Sequence, residues 1–215
     1  MSQSTTGPGV IIDEGLPVGE AAGNAEGLRD GDLGVIEAAR AVWSLIGSAY
    51  IGKFAVVGGA ALLLHGSTIK TSDVDVGITG ESLDAFEQAA RLDHRFTEYA
   101  TGWEFATSFG FSVHIDFIQI GGLILHQLRG YCLDSEVPVA TLTDLALSKG
   151  VAWVDRLEDK DLQGLLYAVE QMKVKGQNFR RLSEEQSELL ALILSKLDRE
   201  TWIGWKVFWA ITSIM

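Results

Sequence analysis

Three carboxylates lie on segments whose residue pattern is typical of β-strands. Asp73 and Asp75 stand two residues apart at the start of one apolar segment, and Asp116 lies within the later segment 112–120. Successive strand side chains point to opposite faces of a sheet, so Asp73 and Asp75 share a face. His114 and Asp116 share one face for the same reason, with apolar residues on the other. If the two strands are neighbours, the three carboxylates converge on one spot.

Such a cluster needs a compensating positive charge. Two ionised groups about 4 Å apart, at an effective dielectric constant near 20, repel each other by roughly 4 kcal/mol. A divalent cation is the simplest compensation, and oxygen ligands favour Mg²⁺ or Mn²⁺ over zinc. Because such ions keep waters and take further ligands from substrate phosphates, the cluster indicates chemistry on a phosphate compound.

A glycine pair provides a second feature suited to phosphate. Gly58 and Gly59 follow the predicted buried strand 53–57 and precede a short predicted helix over 60–65. Without a Cβ atom, the backbone at these positions allows a phosphate to approach closely. The start of the following helix directs free N–H groups and partial positive charge at the same point. Phosphate held beside metal-bound carboxylates is typical of phosphoryl or nucleotidyl transfer.

Lys149 is a third candidate. The spacing predicts a helix over 142–156, on which Lys149 follows Leu145 by four positions and precedes Trp153 by four. This places the lysine on the apolar, inward stripe of the helix, where a charge needs a partner. A triphosphate oxygen is one such partner. The alternatives are that its amine reaches solvent or pairs with Asp144 or Glu158.

The elements that position these residues predict an α/β (α+β) protein. We expect a flexible segment over 1–32, rich in glycine and without periodicity, and then a core over 33–137. The core pattern predicts a small mixed β-sheet flanked by helices. From 138 to 215 the pattern is helical, which predicts a C-terminal helical region packed on the core.

The order of these motifs resembles the signature of the nucleotidyltransferase superfamily. The resemblance rests on the Gly-Gly run over 56–62, the Asp-x-Asp run over 71–76 and the third acid in 113–117, and it covers roughly residues 35–165. Residues 145–149 and 156–162 resemble the helical segment of the branch that contains abortive-infection nucleotidyltransferase toxins and their relatives. This resemblance implies a nucleotidyltransferase fold, a nucleoside triphosphate with Mg²⁺, and transfer of a nucleotidyl group to an acceptor.

The resemblance also implies a role for each motif residue. Asp73 and Asp75 become metal ligands, and Asp116 becomes the third ligand and the base toward the acceptor. Gly58 and Gly59 become contacts of the triphosphate.

Several nearby residues have two open interpretations. Thr71 and Ser72 either bond phosphate or cap the turn before the first acid. His114 either contacts substrate or has a purely local role. The basic residues over 173–181 form either a solvated loop or a small contact for nucleic acid or phosphate.

Composition limits the choice of partners. The chain has 215 residues, and its 29 acidic against 17 basic residues give a net charge of −12. This argues against non-specific binding of nucleic acid and of anionic membranes. The one cysteine, Cys132, excludes an internal disulfide and a thiolate zinc site and fits a reducing compartment, so we expect a cytoplasmic protein. The apolar segment 201–215 is too short to span a bilayer, which takes roughly 20 residues.

Three hypotheses follow for function. The first is a Mg²⁺- or Mn²⁺-dependent nucleotidyltransferase that moves AMP from ATP to a small molecule or a protein. The second is a small ligase that activates a carboxylate as an acyl-adenylate and passes it to an amine. The third is a nucleotide-binding or regulatory module without turnover. The identity of the acceptor and the oligomeric state stay open.

Overall fold

The computed structural model describes residues 28–120, 130–132, 137–179, 182–197 and 202–215. The chain forms two compact units, of which the first ends at Ala140 and the second begins at Thr141. The prediction of a mixed α/β fold is confirmed.

The first unit contains a mixed sheet and three α-helices. Its helices are α1 Asp30–Ile46, α2 Gly58–Leu64 and α3 Gly80–Ala90. Its strands are β1 Phe54–Val57, β2 Asp73–Ile78, β3 Phe96–Tyr99, β4 Gly102–Ala106, β5 Ser112–Gln119, β6 Gly130–Cys132 and β7 Pro138–Ala140. Within the described ranges, the seven strands form one sheet in the order β3-β4-β5-β2-β1-β7-β6.

The first helix begins earlier than the sequence predicts. Residues 1–27 of the expected flexible segment lie outside the described residues, but α1 already starts at Asp30 rather than at Leu33. The side chain of Asp32 accepts a hydrogen bond from the backbone N–H of Arg29 at 3.1 Å and is also bonded to the Arg29 guanidinium. Carboxylates in a first helical turn also interact favourably with the helix dipole, so the polar start of α1 is stable without apolar periodicity.

Strand pairing separates an apolar face of the sheet from an acidic one. β2 and β5 are parallel neighbours, with Asp73 opposite His114 and Asp75 opposite Asp116. The intervening positions place Val74 opposite the fully buried Ile115. The predicted alternation along both strands is therefore confirmed.

Aromatic packing fixes the apolar face of the sheet. The ring of Phe86 on α3 lies 5.4 Å from that of Trp103 on β4 and 4.8 Å from that of Phe117 on β5. On α1, the ring of Trp43 stacks on Phe54 of β1 with 5.5 Å between centroids. Contact between these rings anchors α1 and α3 on one face and leaves the carboxylates on the other.

The second unit is helical. It consists of α4 Leu142–Arg156, α5 Asp159–Val174, α6 Glu184–Lys196 and α7 Trp202–Thr212. α6 begins with a capping box, in which reciprocal hydrogen bonds of 3.0 and 3.2 Å join Ser183 and Gln186. None of the helices within the described ranges is long and apolar enough to cross a membrane.

Candidate functional site

The structure brings the three predicted carboxylates together. Asp73, Asp75 and Asp116 each offer one oxygen, and these three oxygens lie within 4.8 Å of one another. All three residues are partly exposed, so a ligand can reach them. Among the residues that the structure describes, no other cluster of three or more histidine, cysteine or acidic side chains has a comparable geometry.

Hydrogen bonds from a hydroxyl and an imidazole hold the carboxylates of Asp73 and Asp116. The hydroxyl of Thr71 donates to Asp73 Oδ1 at 2.8 Å, and Nε2–H of His114 donates to Asp116 Oδ1 at 3.1 Å. Within the described part of the chain, no lysine or arginine forms a salt bridge with Asp73 or Asp116. The cluster offers the carboxylate oxygens that suit Mg²⁺ or Mn²⁺.

The glycine pair is shaped by the carboxylates themselves. Gly58 has φ +62°, and a Cβ atom added to it would lie 1.8 Å from Asp75 Oδ2. A Cβ atom on Gly59 would lie 2.5 Å from Thr71 Oγ1. From the sequence, we interpreted the two glycines as positions that allow a phosphate to approach the backbone. The structure adds that they leave the space in which Asp75 and Thr71 sit.

A third glycine, missed at the sequence level, makes room for His114. A Cβ atom on Gly102 of β4 would lie 3.2 Å from His114 Cε1 and 2.8 Å from the carbonyl oxygen of Ile115. Gly102 begins β4, and its missing side chain gives the imidazole a place on the sheet. Only the cross-strand register could have revealed this.

A cavity of about 370 Å³ adjoins the cluster on the side of Thr71. Thr71 both lines this cavity and bonds Asp73. The cavity is lined by polar and charged residues together with one glycine, namely Arg29, Gly31, Asp32, Lys70, Thr71 and Ser72. The guanidinium of Arg29 is held by Asp32, and its hydrogen bonds lower the pKa of the Asp32 carboxyl. Lys70 is exposed and forms no salt bridge with any described carboxylate.

Comparison with solved structures finds distant structural neighbours of this chain. No protein-family model and no curated protein matches the sequence. A solved antigenic nucleotidyltransferase-like protein from Paracoccidioides brasiliensis is similar with a TM-score of 0.49 and 17% identity, over 77% of this chain and 87% of that one. The crystal structure of ANT(2")-Ia in complex with adenylyl-2"-tobramycin is similar with a TM-score of 0.43 and 14% identity, over 77% of this chain and 97% of that one. The solution structure of the antibiotic-resistance factor ANT(2'')-Ia is similar with a TM-score of 0.39 and 12% identity, over 76% of this chain and 88% of that one.

These neighbours are nucleotidyltransferase-like proteins. Their sequence identities and TM-scores are too low to assign the chain to a family. The resemblance to the abortive-infection branch stays a prediction.

Lys149 has a protein partner in the second unit. Its Nζ donates to Asp161 Oδ1 at 3.1 Å, and Nη2 of Arg156 donates to Asp161 Oδ2 at 2.7 Å. Asp161 is fully buried, and the side chain of Lys149 is 16% exposed. The inward position predicted for the lysine is therefore correct, but neither Asp144 nor Glu158 is its partner. Asp144 instead accepts hydrogen bonds from Thr141 and Gln186. The contact of Lys149 with a triphosphate stays a prediction.

We expect Asp161→Asn to destabilise the second unit by about 3 kcal/mol, because both Lys149 and Arg156 would lose the buried carboxylate that compensates their charges. Urea unfolding followed by circular dichroism measures this. Asp159→Asn is the matched control: Asp159 lies in the same first turn but is exposed, so its loss costs only the helix-dipole contribution of about 0.5 kcal/mol. Equal stabilities of the two variants would contradict the role assigned to Asp161.

Proposed function

We propose that the chain is a Mg²⁺- or Mn²⁺-dependent nucleotidyltransferase that moves AMP from ATP to a hydroxyl or amine of a small molecule or a protein. The convergence of Asp73, Asp75 and Asp116 on one face of the sheet carries this proposal. The chemistry of the donor set fits the ion, because three carboxylate oxygens within 4.8 Å match the ligands that hard divalent cations prefer. When bound there, the ion would supply positive charge that stabilises the phosphate oxygens and the leaving pyrophosphate.

Asp116 is the residue proposed to receive the proton of the acceptor. In the transfer, the acceptor oxygen or nitrogen forms a bond to the α-phosphorus, and the bond from that phosphorus to the oxygen bridging to the β-phosphorus breaks. The electron pair of the broken bond leaves with pyrophosphate, and the proton of the acceptor passes to the carboxylate. The exposure of the Asp116 side chain, 44%, leaves it open to an incoming acceptor.

The donor phosphates are proposed to lie along the Gly58–Gly59 turn and Thr71 and Ser72. Two observations support this arrangement. The turn lies against Asp75, and the two hydroxyl residues line the cavity next to Asp73. Lys70 lines the same cavity without a salt-bridge partner among the described residues, so its amine is available to the phosphate tail.

We therefore expect Lys70→Gln to raise the KM for ATP about tenfold while kcat changes little, because a lysine that contacts the phosphate tail contributes to binding in the ground and transition states alike. Lys196→Gln, at an exposed position in the last turn of α6, makes the same change in net charge and should leave the KM unaltered. A KM for Lys70→Gln equal to that of the control would remove Lys70 from the phosphate site.

The proposed activity is tested with ATP labelled at the α-phosphate. The protein is incubated with Mg²⁺ or Mn²⁺ and with mixtures of hydroxyl- and amine-bearing small molecules or proteins, and both pyrophosphate and labelled product are measured. Transfer of the label to an acceptor, with equal pyrophosphate, supports the proposal. Pyrophosphate release that requires a carboxylate, with free AMP formed once an amine is added, would identify a ligase instead. Tight ATP binding without pyrophosphate for any acceptor would identify a binding module.

A further inference from the structure

His114 occupies a specific position within the acidic face. On β5 it lies two residues before Asp116, so both side chains point to the same side of the sheet. In the strand register it stands opposite Asp73 on β2 and opposite Glu104 on β4. A histidine thus lies in the middle of a face whose neighbouring positions are acidic.

The hydrogen bond of His114 distinguishes the two oxygens of Asp116. Nε2 lies 3.1 Å from Oδ1, and because an ionised carboxylate only accepts hydrogen bonds, Nε2 carries the proton and donates it. This bond occupies one side of Oδ1 and fixes the rotation of the carboxylate. Oδ2 has no donor in the described structure and is left for a ligand.

The sheet holds the imidazole in place for this bond. Gly102 lacks the Cβ atom that would lie 3.2 Å from Cε1 and 3.4 Å from Nε2 of His114. The ring is only 34% exposed, although it is a polar side chain on an open face. A side chain at residue 102 would therefore crowd the imidazole and disturb its contact with Asp116.

We infer that His114 is a positioning residue, which orients the Asp116 carboxylate toward the divalent ion and the acceptor. This inference rests on the proposed function, because it assumes that Asp116 is both a metal ligand and the proton acceptor. Substitution of a residue that orients a metal ligand in this way typically lowers metal affinity or activity by about 10- to 100-fold. The effect should appear in kcat and in metal binding, and not in the KM for ATP.

The test uses the full chain and two substitutions. His114→Ala removes the donor, whereas His114→Gln keeps an amide N–H that can reach Asp116. We expect His114→Ala to lower kcat about tenfold with an unchanged KM for ATP, and His114→Gln to recover most of the loss. Binding of Mn²⁺ without ATP, titrated by electron paramagnetic resonance, should weaken about tenfold in the alanine variant and recover in the glutamine variant.

Ser112→Ala is the matched control, since Ser112 lies on the same face of β5 at its exposed end. Thermal unfolding of each variant checks the fold, and the glutamine variant keeps the test valid if the alanine variant unfolds. Mn²⁺ affinity and kcat of His114→Gln and His114→Ala equal to those of Ser112→Ala would overturn the inference. If both His114 variants behave as the control and Asp75→Asn loses all activity, only the role of His114 is wrong and the proposed function stands. Unchanged turnover in Asp75→Asn would refute the proposed function itself.

Discussion

Replacement of Asp75 by asparagine should reduce Mg²⁺-dependent pyrophosphate release at least about a thousandfold, which corresponds to roughly 4 kcal/mol of transition-state stabilisation. Asp75 is the central member of the cluster. It stands opposite Asp116 on one neighbouring strand and opposite Val57 on the other, and it lies against Gly58. The amide is nearly the same size as the carboxylate, so the substitution removes the charge and leaves the space filled.

The same variant carries a second readout that needs no substrate. In the wild-type protein, Mn²⁺ should raise the melting temperature, because an ion that binds only the folded chain stabilises it. In Asp75→Asn this rise should disappear, because the amide no longer supplies the charged oxygen ligand that the ion prefers. Asp84→Asn, on the exposed surface of α3, is the matched control and should behave as the wild type. Unchanged turnover in Asp75→Asn would refute the metal assignment.

The shared face of the carboxylates could be predicted from the sequence, but their register could not. Alternation along a strand is enough to place Asp73 beside Asp75 and His114 beside Asp116 on single faces. Which residue of β2 lies opposite Asp116 depends on the packing of the whole sheet. A shift of two residues would keep the same face and yet move the partner by about 6.6 Å, too far for a common ion.

The partner of Lys149 shows the same limit in the helical unit. The apolar stripe of α4 predicts an inward lysine and the need for an anion. The sequence left open an oxygen of a bound triphosphate, solvent, or a carboxylate from Asp144 or Glu158. The structure instead provides Asp161 from the start of the following helix. Which carboxylate meets the lysine follows from how α4 packs on α5, and helix packing has no signature in the local sequence.

The glycine pair was interpreted from the sequence as a phosphate contact, and the structure shows a second reason for glycine at Gly58. A small residue after a buried strand is consistent with close approach of a phosphate, which is a requirement of the ligand. The structure shows a requirement of the protein itself, because Asp75 Oδ2 lies where a Cβ atom of Gly58 would be. The backbone at Gly58 and the carboxylate of Asp75 are therefore coupled, and a substitution at one should displace the other.

Gly58→Ala should consequently lower activity by at least about a hundredfold and stability by about 2 kcal/mol. Two effects contribute. Alanine at φ +62° costs about 1–2 kcal/mol for a left-handed backbone, and its Cβ atom, 1.8 Å from Asp75 Oδ2, must push that carboxylate out of the cluster. The loss of activity should come with loss of the Mn²⁺-induced rise in melting temperature, measured as for Asp75→Asn.

Gly176→Ala separates the two effects. Gly176 has nearly the same dihedral angle, φ +66°, but no atom lies within 4 Å of an added Cβ. It should therefore show the backbone strain alone, with a similar fall in stability and wild-type turnover and metal response. If Gly58→Ala loses stability to the same extent but keeps its activity, the carboxylate of Asp75 can move without consequence, and the coupling between the glycine turn and the metal cluster does not exist. If only Gly58→Ala loses the metal response, the turn holds Asp75 in the geometry that the reaction requires.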